Sequence, residues 1–342
     1  MTAAAAARPR PLSERALPAA VALLAIPPVF MVLRGAVRSP VTFARNLVEG
    51  VSLGGVYALV ALGYTMVYGV LGLINFAHSD VFMLGAYAGI FAAAFFGVTA
   101  ASSAHSSLGI TLGCFAFSML TCATLGMFIE RFAYRPVRNA PKLTPLVTAI
   151  GVSMLLQNIA MLVFTSTPRG FPPVVRSTTV SLGPVAVTNV KLLNLGAAVL
   201  LMVALTFLVQ RTRVGRAMRA ISTNLQAARL MGVPTDRIIA ITFGLGSALA
   251  GAGGILFGLD QPKIDPLSGV QPGLKAFVAA VLGGIGNIPG AMLGGLLIGV
   301  VEQLASAYLS SSFAPAIVFS ILVAVLLVRP QGLLGRVARE KV

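Results

Sequence analysis

The sequence predicts an all-α fold, a polytopic transmembrane helical bundle, and three observations predict it. Of 342 residues, 57% are hydrophobic and only 10% charged, with a mean hydropathy of +0.92; a soluble domain of this length needs far more charge to cover its surface. Apolar stretches of near-spanning length recur along the whole chain, so the bilayer is the solvent for most of it. Lys and Arg collect in short segments between those stretches, the pattern of cytoplasmic loops. The 36 glycines suit a single integral domain, because small residues let membrane helices approach closely.

The formal charge of +16 would suggest nucleic acid in a soluble protein. Here the charge is divided among loops rather than gathered on one contiguous basic face, which argues against that class. Cys114 and Cys122 lie in one apolar run, two helical turns and so about 12 Å apart, too far for a disulfide. With His78 and His105 the only histidines, no zinc-ligand spacing exists. Both cysteines read as small packing residues, and no metal is expected.

The first element follows an Arg- and Pro-containing start. Residues 16–33 can be a signal peptide, but the run ends Leu33-Arg34-Gly35-Ala36 without a small-x-small cleavage site, which favours a retained helix kinked at Pro27-Pro28. Further spans are expected at 46–70, 80–97, 108–129, 143–164, 191–210, 238–258, 274–288, 290–308 and 314–328, about ten hydrophobic segments in all. The 274–288 piece is short enough to be re-entrant. Residues 1–42 read as an N-terminal extension, 43–335 as the transmembrane domain and 336–342 as a cytoplasmic tail.

Ten spans place the basic groups at the start, at 131–142, at 211–237 and after Arg329 on one side, which must be the cytoplasm; Arg34, Arg38 and Arg45 fall opposite. On the external side, β-branched alternation in 177–182 and 185–190 flanks Gly183-Pro184 and suggests a hairpin. Asp260 and Asp265 fall in an external loop and are expected to be solvated. The Gly-x-x-x-Gly pairs 50/54, 85/89, 254/258, 290/294 and 295/299 are expected to be helix contacts.

Four features carry mechanism. The break Leu73-Ile-Asn-Phe-Ala-His-Ser-Asp80 parts two apolar runs, and Gly283–Gly290 interrupts the second half in a corresponding way. Unwound backbone at membrane depth survives only inside protein or beside water. Asn75, Phe76, His78 and Asp80, with Gly284, Gly286 and Asn287, are therefore candidates for a solute path, the alternative being an ordinary cytoplasmic turn. Glu302, an acid inside an apolar span, joins them as either a path residue or a structural hydrogen-bonded site. In the basic loop 211–237, Thr223 and Gln226 have capping-box spacing that would start a helix at Asn224. Gly232 followed by Pro234 stops it. Ile221, Leu225 and Ala228 fall on one apolar face that Leu230 and Met231 extend; such a face needs a partner groove or a bed of lipid headgroups. No G-x-x-x-x-G-K-[ST] loop is present, so if ATP is used another chain must bind it.

The string Gly54-Gly-Val-Tyr-Ala-Leu-Val-Ala-Leu-Gly-Tyr-Thr-Met-Val-Tyr-Gly-Val-Leu-Gly-Leu-Ile-Asn-Phe-Ala-His78, then Met83-Leu-Gly-Ala-Tyr87, closely resembles the LivH-type permeases of branched-chain amino-acid ABC transporters. The resemblance continues through Glu130-Arg-Phe-Ala-Tyr-Arg-Pro136, Ala149-Ile-Gly-Val-Ser153, Phe277-Val-Ala-Ala-Val-Leu-Gly-Gly-Ile-Gly-Asn-Ile-Pro-Gly-Ala-Met-Leu-Gly-Gly295 and Arg329-Pro-Gln-Gly-Leu333. It covers roughly residues 43–335. Ser79 departs from the family's usual Gly.

The resemblance implies an integral subunit of the bacterial inner membrane. It would work with cytoplasmic ABC ATPase subunits that use the ATP, a periplasmic substrate-binding protein and a second permease subunit, in contact with membrane lipid. Relatives also carry urea, amides and small carboxylates. The run Gln226-Ala-Ala-Arg-Leu-Met-Gly232 resembles the Glu-Ala-Ala-x-x-x-Gly loop by which such permeases dock on their ATPases, with Gln for Glu. It assigns Leu225, Gln226, Ala227, Ala228, Met231 and Gly232 to coupling. A secondary transporter would need more embedded charge than Glu302, Asp80 and Glu49 supply. A membrane enzyme would need a nucleophile, acid/base pair or metal cluster.

Overall fold

A computed structural model describes residues 29–99, 107–141, 143–261 and 263–335. Most of the expected first segment, the basic start, His105, Lys142 and the tail from 336 lie outside the described residues; 29–38 form a helix, α1, joined at Ser39 to α2 (Pro40–Leu71). The chain continues through α3 (His78–Phe95), α4 (Leu108–Ile129), a π-helical turn (Glu130–Tyr134) and α5 (Arg135–Val137). After α6 (Leu143–Phe164) and α7 (Asn189–Arg211) come the short α8 (Arg213–Thr223) and α9 (Leu225–Leu230). Then follow α10 (Thr235–Asp260), α11 (Val270–Gly283), α12 (Ile288–Tyr308) and α13 (Ala314–Val328). Among the described residues seven helices are long and apolar enough to cross a membrane, and α11 and α13 are shorter apolar helices.

Two of the boundaries that differ from expectation have a clear backbone cause. The span expected to stop at 129 runs on to Val137, because the Arg135 amide reaches back five residues to the Glu130 carbonyl. That wider turn admits Pro136, which cannot donate a helical hydrogen bond. Arg131 and Arg135 therefore sit on the end of a helix rather than in a loop. The 274–288 segment starts earlier and ends at Gly283: Gly284 (φ +100°) and Gly286 (φ +91°) take conformations closed to most residues. Asn287 then caps α12 by accepting from the Gly290 amide at 3.3 Å.

Helix α2 is the axis of the bundle; every residue from Gly54 to Val67 is buried. Gly50 and Gly54 meet Gly295 and Gly299 of α12, and a Cβ on Gly54 would lie 2.7 Å from the Leu296 Cα and 2.9 Å from the Gly295 carbonyl. The other expected glycine pairs also sit at contacts: Gly85 on Gly251, Gly89 on Ile255, Gly254 on Phe82, Gly258 on Phe171, Gly290 on Gly283 and Gly294 on Ala279. Without water to drive apolar association, this closeness of backbones is what holds the helices together. Cys114 and Cys122 are free and buried.

The ends of α4 and α7 and the starts of α6 and α10 gather at one end of the bundle with the arginines of 131–138 and 211–237, which makes that end cytoplasmic. At the other end the hairpin forms as β2 (Thr179–Leu182) and β3 (Val185–Thr188), turning at Gly183 with φ +65°. Two links there were not expected. A strand pair β1 (Arg169–Gly170) with β4 (Lys263–Ile264) ties the 165–178 loop to the α10–α11 connection. Asp260 is not solvated but ion-paired with Lys191 at 2.5 Å, and Asp265 is a turn residue whose carboxylate accepts from the Leu267 amide at 2.8 Å.

Candidate translocation pathway and coupling surface

The break after α2 spans 72–77 rather than the expected 73–80. Gly72, in the left-handed region at φ +67°, ends α2 with its amide on the Tyr68 carbonyl at 2.7 Å. His78, Ser79 and Asp80 are not unwound; they form the first turn of α3, with the His78 amide on the Asn75 carbonyl and the Asp80 amide on the Ala77 carbonyl, both at 3.1 Å. Ser79 fits this turn by donating to the Phe76 carbonyl at 3.0 Å, and Gly269 and Gly273 of the α11 region pack onto it. Within the non-helical stretch Asn75 and Ala77 are buried, while Gly72 is exposed.

Each polar side chain here has a defined setting. Asn75, 2% exposed, accepts from the Tyr134 hydroxyl at 2.8 Å. The Asp80 carboxylate, on a residue 1% exposed, accepts from Ser153 Oγ at 2.5 Å and Gln157 Nε2 at 2.9 Å, both on α6. His78 lies against Gly63 and edge-on to Tyr64 (centroids 4.9 Å, 65°), and its Nε2 has no hydrogen-bond partner among the described residues.

Helix α11 joins this break to the embedded acid. Phe277 packs on Tyr64 at 5.9 Å and Phe76 at 6.0 Å. From the same helix Lys275 reaches Glu302 of α12 at 2.6 Å, and Tyr57 of α2 donates to the other carboxylate oxygen at 3.0 Å. Two largely buried charges of opposite sign plus a hydroxyl form a neutral set across three helices. Sequence reasoning missed Lys275 and Tyr57, although an acid in an apolar span demands a partner, and Lys275 is a cation in the neighbouring short run.

Gly284 and Asn287 stand apart from this group. With Leu282 and Gly283 they receive the segment after α13: Leu333 N donates to the Leu282 carbonyl at 2.8 Å, and Asn287 Nδ2 to the Leu334 carbonyl at 2.6 Å. Their geometry is that of a clasp for the chain's cytoplasmic end. Gly286 alone turns toward α2, lining a cavity of 80 Å³ with Thr65, Gly69 and Arg219.

At the cytoplasmic end, Thr223 is not the cap expected. Its hydroxyl donates to the Arg219 carbonyl inside α8 at 2.9 Å, and Asn224 caps α9 instead, accepting from the Ala227 amide at 2.9 Å. Gly232 (φ +81°) closes the helix. The apolar face also divides differently. Ile221 and Ala228, 2% and 5% exposed, belong to the chain's own core with Leu225 packed on it, whereas Leu230 and Met231 are 87% and 84% exposed and point away. Gln226 and Ala227 are exposed beside them. Beneath α9, Arg138 bridges Glu130 and Asp236, and Arg135 also holds Asp236. This network joins the end of α4 to the start of α10 and was not anticipated; Asp236 in the first turn of a helix was its visible sign.

Comparison with known proteins shows the family. The family described as branched-chain amino acid transport system / permease component matches residues 46–329. The high-affinity branched-chain amino acid transport system permease protein BraD of Pseudomonas aeruginosa is 41% identical over 304 residues, covering 88% of this chain and 98% of BraD. The corresponding LivH of Escherichia coli K12 is 42% identical over 311 residues, with the same coverage of each chain. A probable LivH of Methanocaldococcus jannaschii is 28% identical over 300 residues, covering 85% of this chain and 92% of its own. The chain belongs to the family of permease components of branched-chain amino acid transport systems.

Proposed function

We propose that this chain is the membrane path of an ATP-driven importer for branched-chain amino acids in the bacterial inner membrane. It binds no nucleotide itself and performs no chemistry. Cytoplasmic ATPase subunits engage α9, a periplasmic binding protein delivers the amino acid, and a second permease subunit completes the path. The observation that carries the coupling role is α9 itself: a capped helix at the basic end of the bundle, anchored inward by Ala228, with Leu230 and Met231 exposed. Large apolar side chains kept exposed on a short rigid element are what a partner groove takes up. The path is assigned to the 72–77 break and the Lys275–Glu302 pair, which α11 links through Phe277 and Lys275.

The test is ATP hydrolysis. The purified permease should turn over no ATP. Adding its cognate ATPase should give turnover that liganded binding protein stimulates. Hydrolysis by the isolated permease, or an ATPase indifferent to it, would contradict the proposal.

A further inference from the structure

Two adjoining clefts open at the cytoplasmic end between the π turn after α4 and the α9–α10 junction. One, of 530 Å³, is lined by Arg131, Arg135, Arg229 and Arg237, with Met127 and Ala240 deeper on the membrane side. The other, of 480 Å³, shares Arg135 and Arg229 and adds Arg138. The acids that also line them, Glu130 in the larger and Asp236 in both, are already committed to Arg138 and Arg135. Arg131, Arg229 and Arg237 are exposed and have no acidic partner among the described residues. The larger cleft therefore holds surplus positive charge above an apolar floor.

The lining is graded along the membrane normal. Met127 stands on α4 before the π turn and Ala240 one turn inside α10, so the apolar end points into the bilayer and the guanidinium end toward the cytosol. Basic pockets between helices at the cytoplasmic face take lipid phosphates, and guanidinium forks match phosphate oxygens in pairs.

We infer that this cleft binds the headgroup of an anionic phospholipid, its phosphate held by Arg131, Arg229 and Arg237 and its acyl chains entering the bilayer past Met127 and Ala240. Because Arg229 is on α9 and Arg237 on α10, the bound lipid would bridge the coupling helix to the bundle. The site stands independently of which solute is carried.

The full-length permease in nanodiscs of equal parts phosphatidylcholine and phosphatidylglycerol tests this by native mass spectrometry of retained lipid. Wild type should retain phosphatidylglycerol preferentially. Arg131→Gln/Arg229→Gln/Arg237→Gln should reduce that preference by about tenfold or more. Arg213→Gln/Arg216→Gln, exposed arginines of α8 that line neither cleft, should leave it unchanged. Arg229→Gln alone, on an exposed position, should give an intermediate loss and guards against misfolding of the triple variant. No preference in wild type, its survival in the triple variant, or equal loss in the α8 variant would overturn the inference. Displacement of the lipid by an equal concentration of inorganic phosphate would also overturn it, assigning the cleft to a free anion.

Discussion

Lys275 Nζ lies 2.6 Å from Glu302 Oε1, an ion pair set roughly 20 Å along α12 from its cytoplasmic start. Neither charge is tolerable there alone: removing one partner of a buried pair costs about 3–5 kcal/mol, whereas replacing both is often close to neutral. Lys275→Met and Glu302→Gln should each lower the folded yield and thermal stability in detergent, and the double variant should recover most of the loss. Strictly additive losses would mean the two groups do not act as a pair.

The inward anchoring of α9 separates two substitutions that sequence reasoning treats alike. Ala228→Asp buries a charge in the permease's own core and should reduce properly folded protein, by several kcal/mol. Leu230→Glu/Met231→Glu alters only exposed side chains, so the permease should insert normally yet lose its ATPase on co-purification, a weakening of roughly 2 kcal/mol or more if these are interface anchors. Wild-type retention of the ATPase by the double variant would remove α9 as the docking element.

Gly63 faces the His78 ring so closely that a methyl group there would overlap it. Gly63→Ala should destabilise the α2–α3 packing by about 1–3 kcal/mol, and His78→Ala in the same chain should relieve it. Thermal unfolding monitored by circular dichroism reads both. An equal penalty with and without His78 would place the strain elsewhere.

The 72–77 break should change its exposure during the transport cycle. In a Cys114→Ala/Cys122→Ala background, a single cysteine at the partly buried Phe76 should react with a membrane-impermeant thiol reagent to different extents in the resting and ATP-trapped complexes. Cysteine at the exposed Gly72 should label similarly in both. Equal labelling at 76 in the two states would reduce the break to a connector.

Periodicity and glycine placement made most of the bundle legible. Spans 143–164 and 314–328 fall where expected, as does the turn at Gly183, because each is bounded by strong local signals. The π turn at 130–134 was not legible: a wider turn that admits Pro136 depends on one backbone hydrogen bond, not on side-chain pattern. For the site, the break and Glu302 were visible as violations of an apolar pattern. Which residues answer them was not, since Tyr134, Ser153 and Lys275 come from helices distant in sequence and brought near only by packing. The face of α9 was misread for the same reason. An apolar stripe says that something covers it, but not whether the cover is the chain's own core or a partner.

Uptake of labelled leucine into proteoliposomes tests the central claim most directly. The permease would be reconstituted with its partner permease, ATPase and binding protein, with ATP supplied on the ATPase side. Leucine should accumulate only with ATP, continue when ionophores abolish ion gradients, and fall to background with Leu230→Glu/Met231→Glu. Accumulation that follows an ion gradient and persists without ATP would contradict the account.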